Sequence, residues 1–260
     1  MTYRLCCNVS ALQARVNRQV FLISIAVMTT TMTSYGDGNS LFDAVRSGDV
    51  RQVRNALSRG VDPNRPEHSG QTPLILAAVL GRVEIVHLLL DRRASINAKD
   101  EAGATALMRA STSGHLAVVQ ELIKRGAEMN ATNNAGMTPM LAAIMSDQFG
   151  IAQHLVTAGA DVNLAAANGI TPLIAAIGGG RTNVVALLLH HHADPNLADG
   201  NGLTPLISAV ARESFEMVRL LLAGGADATA VDRDGRTALR VAELQGSKDI
   251  ANLLRKSTAR

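Results

Sequence analysis

An all-α solenoid of stacked units is the fold that the sequence predicts, and three observations carry the prediction. The first is a period of 33 residues: Thr72, Thr105, Thr138, Thr171, Thr204 and Thr237 are evenly spaced, and each follows a glycine by two positions. The second is that each spacing holds two apolar helical patterns separated by a glycine-rich turn. The third is the composition, which is 47% hydrophobic but only 2% aromatic, with no Trp. Leu, Ala, Val, Ile and Met must therefore fill the interior, and thin repeated layers suit such small side chains.

The landmarks have mechanical reasons. Leu41, Leu74, Leu107, Met140, Leu173, Leu206 and Leu239 keep step with Ala44, Ala77, Ala110, Ala143, Ala176, Ala209 and Ala242 across seven units. Before them, a Thr hydroxyl can accept from an orphan amide at a helix start, and Pro73, Pro139, Pro172 and Pro205 suit the first helical position. Ala106 and Ala238 replace that proline, which should loosen those two starts slightly. A second helix follows, as in Val83, Val86, Leu89 and Leu90 and its copies. Gly60, Gly126, Gly159 and Gly225 close it, since glycine enters the left-handed region without penalty, but Arg93 and His192 break that series. Asn64, Asn97, Asn130, Asn163 and Asn196 lead into the next polar turn, and Thr229 departs from them.

Residues 97 to 130 read Asn-Ala-x-Asp-x-x-Gly-x-Thr-x-Leu, then Ala110, Gly114-His115 and Gly126-Ala127, and this string resembles the ankyrin repeat. The resemblance covers residues 38 to 260. It implies that each unit is a β-turn or hairpin followed by two antiparallel helices. The units are 38–70, 71–103, 104–136, 137–169, 170–202, 203–235 and 236–260. The first and last read as caps: Gly38-Asn39-Ser40 replaces the Gly-x-Thr-Pro start, and the last stops after its second helix. Members of the family often carry His after Thr-Pro-Leu, whereas here Ile75, Met108, Leu141, Ile174, Ile207 and Arg240 stand there. The expectation is that a polar bridge is lost and that apolar packing holds the turn instead. One unit cannot bury enough apolar surface to fold alone, so stability must be shared between neighbours.

Residues 1–35 form a separate leader. They hold Arg4, Arg15 and Arg18 and no acid, so they account for the whole net charge of +3 and leave the rest balanced. A balanced body argues against nucleic acid, which draws affinity from clustered Lys and Arg. An apolar run at 20–28 and a Thr/Ser-rich stretch ending near Tyr35 follow, an order that resembles a secretory signal. That order predicts export, to a periplasm or out of the cell. A translation start at Met28 or Met32, which would leave the protein cytoplasmic, and an organellar transit peptide are the alternatives. Nine apolar residues fall short of the roughly 20 that span a bilayer as a helix, so no stable transmembrane anchor is expected. Cys6 and Cys7 both lie in the leader, so the body has no thiol for a disulfide, a zinc site or a nucleophile.

No nucleophile elbow, phosphate loop or paired-cysteine metal motif occurs, so the sequence predicts no catalytic residue, cofactor or metal. His190-His191-His192 are consecutive and point in different directions, and they read as polar side chains at a helix C-terminus. Gly178-Gly179-Gly180 follow a helix rather than precede one, and they predict a soft segment with a bare backbone. By the ankyrin resemblance, recognition falls on a concave face made of turn tips and inner helices. The matching variable positions are Gln71, Ala104, Met137, Ile170, Leu203 and Arg236 between Gly and Thr. At the close of the first helix they are Val79-Leu80, Thr112-Ser113, Met145-Ser146, Gly178-Gly179 and Ala211-Arg212. Met137, Ile170 and Leu203 are expected to form an apolar ladder, with Arg212 and Arg236 as polar anchors at one rim. The predicted function is a monomeric, non-catalytic module that binds a protein partner. The alternative is an exported protective or structural accessory of one co-expressed enzyme or membrane complex.

Overall fold

The computed structural model describes residues 41–258, so the leader and the Gly38-Asn39-Ser40 start lie outside the described residues. Seven first helices alternate with seven second helices. The first helices are α1 (Leu41–Ser47), α3 (Pro73–Val79), α5 (Ala106–Ser113), α7 (Pro139–Met145), α9 (Pro172–Gly178), α11 (Pro205–Ala211) and α13 (Ala238–Gln245). The second helices are α2 (Val50–Ser58), α4 (Val83–Asp91), α6 (Leu116–Lys124), α8 (Phe149–Thr157), α10 (Thr182–His190), α12 (Phe215–Ala223) and α14 (Lys248–Thr258). Each first helix packs on its own second helix and on the first helices to either side, so the chain forms two parallel rows. No helix among the described residues is long and apolar enough to cross a membrane.

The helix starts follow from the sequence. Thr72, Thr105, Thr138, Thr171, Thr204 and Thr237 each accept, through Oγ1, the amide three residues on at 3.2–3.3 Å. Where Ala106 and Ala238 replace the proline, the threonine cap is made at the same distances. The second helices close through left-handed residues, with φ of 86° at Gly126 and of 63° and 64° at Arg93 and His192. The non-glycine residues thus adopt the glycine conformation, which costs about 1–2 kcal/mol each.

Between the rows lies one continuous apolar layer that includes Leu74, Ile85, Leu107, Leu122, Met140, Leu155, Leu173 and Leu188. The asparagine series then ties unit to unit. Asn64, Asn97, Asn130, Asn163 and Asn196 each accept, through Oδ1, the amide 31 residues on at 2.6–3.0 Å. Asn64, Asn163 and Asn196 also donate to the carbonyl of the left-handed residue in the next unit. The partner of Thr229 would be position 260, outside the described residues, and its hydroxyl donates to Asp227 Oδ1 at 2.6 Å.

The segment before each first helix is a turn rather than a stranded hairpin. Among the described residues the only bridge pairing is Val231 with Thr237. Successive turn tips are joined by main-chain bonds from Glu101, Asn134, Ala167 and Gly200 amides to the Ser69, Ala102, Ala135 and Asn168 carbonyls, at 2.8–3.0 Å. Ile75, Met108, Leu141, Ile174 and Ile207 are buried, as apolar packing of the turn requires. Polar groups within the turns add a second hold. Asp100, Asn133, Asp199 and Asp232 each accept two amides of their own turn through Oδ1, and Arg109 adds Nε and Nη2 to Asp100 Oδ2.

Candidate protein-binding surface

The first row of candidate residues closes the turn tips. The carbonyls of Gln71, Ala104, Met137, Ile170, Leu203 and Arg236 each accept from the amide four residues earlier at 3.0–3.1 Å, which fixes where their side chains leave the backbone. Ala104 is buried, while Met137, Ile170 and Leu203 are half-buried, and Ile170 and Leu203 pack against the main core. The ladder therefore presents edges of side chains already in contact with the fold, not a free apolar strip. Arg236 is committed elsewhere: Nε and Nη2 reach Asp232 Oδ2 at 2.9 and 2.7 Å, and Nη2 reaches Asp234 at 2.7 Å. The Asp232 bond raises the Arg236 pKa above its ordinary value. Burial pushes the Asp232 carboxyl up, but Arg236 and the turn amides outweigh it and hold the group below the ordinary range.

The second row lies at the C-terminal ends of the first helices. Val79, Leu80, Thr112 and Met145 are half-buried, and Ser113 and Arg212 are exposed. The main chain here is covered by side chains of the next unit, because helix-end carbonyls favour donors and positive charge. Arg82 Nη2 donates to Arg46 O at 3.4 Å, and Gln245 Nε2 donates to Ala211 O at 3.1 Å. His115 Nε2 lies 2.9 Å from Val79 O, so that nitrogen carries the proton. Arg212 Nη1 donates to Gly178 O at 2.7 Å, so the backbone of the glycine run is not bare. Arg181, at the position of His115, bonds instead to Asp147 and holds its carboxyl below the ordinary range.

Several features escaped the sequence reading. The turns between first and second helices are also left-handed, and Asp147 (φ 59°) and Glu213 (φ 55°) stand where Gly48, Gly81, Gly114, Gly180 and Gly246 stand in the other units. Their 33-residue register was the available signal. Leu116, Phe149 and Phe215 are exposed at the first position of α6, α8 and α12. Glu121, 8% exposed, lies 3.0 Å from His87 Nδ1 and accepts Arg125 Nε at 2.8 Å, while Arg125 Nη2 reaches Asp91 on the preceding unit. His190 and His191 meet edge to face with centroids 5.3 Å apart, and His192 forms the left-handed closing turn.

The family model described as ankyrin repeats (3 copies) matches residues 41–133, 119–199 and 192–260, which together span the described residues. The chain belongs to the ankyrin repeat family. Among solved structures, the ankyrin repeat domain of Bcl-3, a unique member of the IkappaB protein family, aligns with a TM-score of 0.77 at 29% identity. That alignment covers 85% of this ankyrin chain and all of the other. The human ASB11 ankyrin repeat domain aligns with a TM-score of 0.69 over 84% of this chain and 96% of that one, and at 24% identity it speaks for the fold alone. A 54-residue stretch is 48% identical to the 2-5A-dependent ribonuclease of Mus musculus, covering 20% of this chain and 7% of that protein. Ankyrin repeat domains are in general protein–protein interaction modules and typically non-catalytic.

Proposed function

We propose that this ankyrin protein, as a monomer and without catalysis, holds a protein partner along the surface made by its turn tips and first-helix ends. The observation that carries this reading is a contrast between positions within the chain. The capping threonines and buried landmarks repeat from unit to unit, while the helix-end pairs run Val-Leu, Thr-Ser, Met-Ser, Gly-Gly and Ala-Arg in successive units. These side chains are half-buried or exposed, so core packing does not dictate them. Varied chemistry on a fixed frame is what selective recognition needs, and polar groups set among apolar edges match the make-up of non-obligate interfaces.

The test is a triple substitution, Met137→Ser, Ile170→Ser and Leu203→Ser, compared with the parent chain in a crosslinking pull-down. Loss of the captured partner with an unchanged circular dichroism spectrum supports the surface. Retained capture by the folded triple variant places the site elsewhere. Export remains part of the proposal, carried by the order of the leader. The N-terminal residue of the purified protein checks it: cleavage near Tyr35 is expected, and an intact Met1 contradicts it.

A further inference from the structure

We propose that the junction between the units of α7–α8 and of α9–α10 is a built-in seam, at which the ankyrin stack opens on its interhelical-turn edge while its other edges stay joined. Four observations meet at this one junction. Asp147 takes the left-handed turn that glycine takes in the units before it, so the turn is strained. Arg181 Nη1 is buried without a hydrogen-bond partner. Among the described residues no side-chain donor reaches the Met145 carbonyl, whereas its equivalents at Val79, Gly178 and Ala211 have one, so the Arg181–Asp147 ion pair is the side-chain bond that joins this edge instead. A surface cleft of about 230 Å³ lies at the same place, lined by Asp147, Gln148, Arg181 and the exposed Phe149 over the buried Ile144, Ala152 and Val184.

The contrast with the equivalent junction two units earlier is direct. There Gly81 makes the turn, and His115 lies over it and donates to Val79 O. The junction before the seam shares one of these features, and the junction two further on shares two. Gln148 lies over Gly114 with no side-chain bond to the Thr112 carbonyl, but Gly114 leaves that turn unstrained. Glu213 is left-handed and Gln245 Oε1 is buried without a partner, but Gln245 Nε2 still donates to Ala211 O.

The other two edges of the seam are intact. Asn163 accepts the Asp194 amide at 2.8 Å, and the Ala135 carbonyl accepts the Ala167 amide at 3.0 Å. Opening is therefore a hinge about those two ladders, and it separates Met145 from the Gly178 end of α9. A change in the spacing of the partner surface follows only if the reading under Proposed function holds. The seam itself does not depend on it.

Hydrogen exchange of the full chain, followed by mass spectrometry without any partner, tests the seam. Protection in 144–152 and 176–184 is expected to be at least about tenfold lower than in 78–86 and 110–118, the same positions two units earlier. The double variant Asp147→Gly/Arg181→His rebuilds the Gly81–His115 pair and should slow exchange in 144–152 about tenfold, leaving 78–86 unchanged. If the double variant does not fold, Asp147→Gly alone should slow that segment by a smaller factor. Equal protection at the two junctions in the parent chain, or variants that fold without slowing exchange, overturns the proposal. Failed partner capture with a protected seam, or the reverse, tells the two proposals apart.

Discussion

The asparagine edge and the interhelical-turn edge both join unit to unit, yet they are built in opposite ways. Along the first, one residue type makes the same bond five times, from Asn64 to Asn196. Along the second, Arg82, His115, Arg212 and Gln245 reach equivalent carbonyls of the preceding unit through different side chains, and Arg181 finds a carboxylate instead of a carbonyl. The difference teaches that the stack is held in register by one edge, which leaves the other free to vary in strength and chemistry. Varied side chains there give each junction its own stability.

That contrast is open to substitution. Asn163→Ala removes one bond from the Asp194 amide and one to the His192 carbonyl, and about 2 kcal/mol of stability should go with them. A urea midpoint unchanged from the parent would show that the asparagine edge does not set the register. On the strained turns the sign reverses. Glu213→Gly and Arg93→Gly each relieve a left-handed residue and should add about 1 kcal/mol. The melting temperature should then rise by about 2–4 °C, and a fall would mean that the larger side chain is held by contacts stronger than the strain. Asp147→Gly should gain less than Glu213→Gly, because it also gives up the Arg181 ion pair. Equal gains would show that this half-buried pair contributes nothing.

The smallest effect concerns acid. The folded Asp232 carboxyl binds its proton at lower pH than the unfolded chain does. Its contribution is therefore complete above the ordinary carboxylate range and drains away as pH falls through the lower, folded value. Asp232→Asn should leave a shallower loss of stability in that acid window, measured by urea unfolding at stepped pH. A slope identical to the parent would remove Asp232 from the acid response.

What was legible in the sequence divides along the same line. Threonine caps, closing glycines and the apolar layer act within one unit, so a fixed register reveals them, and the ankyrin fold follows. The register also held the signal for Asp147 and Glu213, since the same offset is glycine in the other units. Contacts across units were not legible. Arg212 meets Gly178, and Arg181 meets Asp147, 34 residues away through residue types that do not repeat. Only the stacking of neighbours brings them together. Arg236 read as a free anchor because its partner Asp232 lies in a turn, where no helical spacing announces the pair. The half-burial of Ile170 and Leu203 depends on how far the tip folds onto the core, which no periodicity encodes.

The account stands on the dependence of each unit on its neighbours, and one excised unit tests it most directly. Residues 137–169, made as a peptide, should give a coil-like circular dichroism spectrum with no cooperative melt. A helical spectrum that melts in a single sharp transition at low concentration would contradict the account.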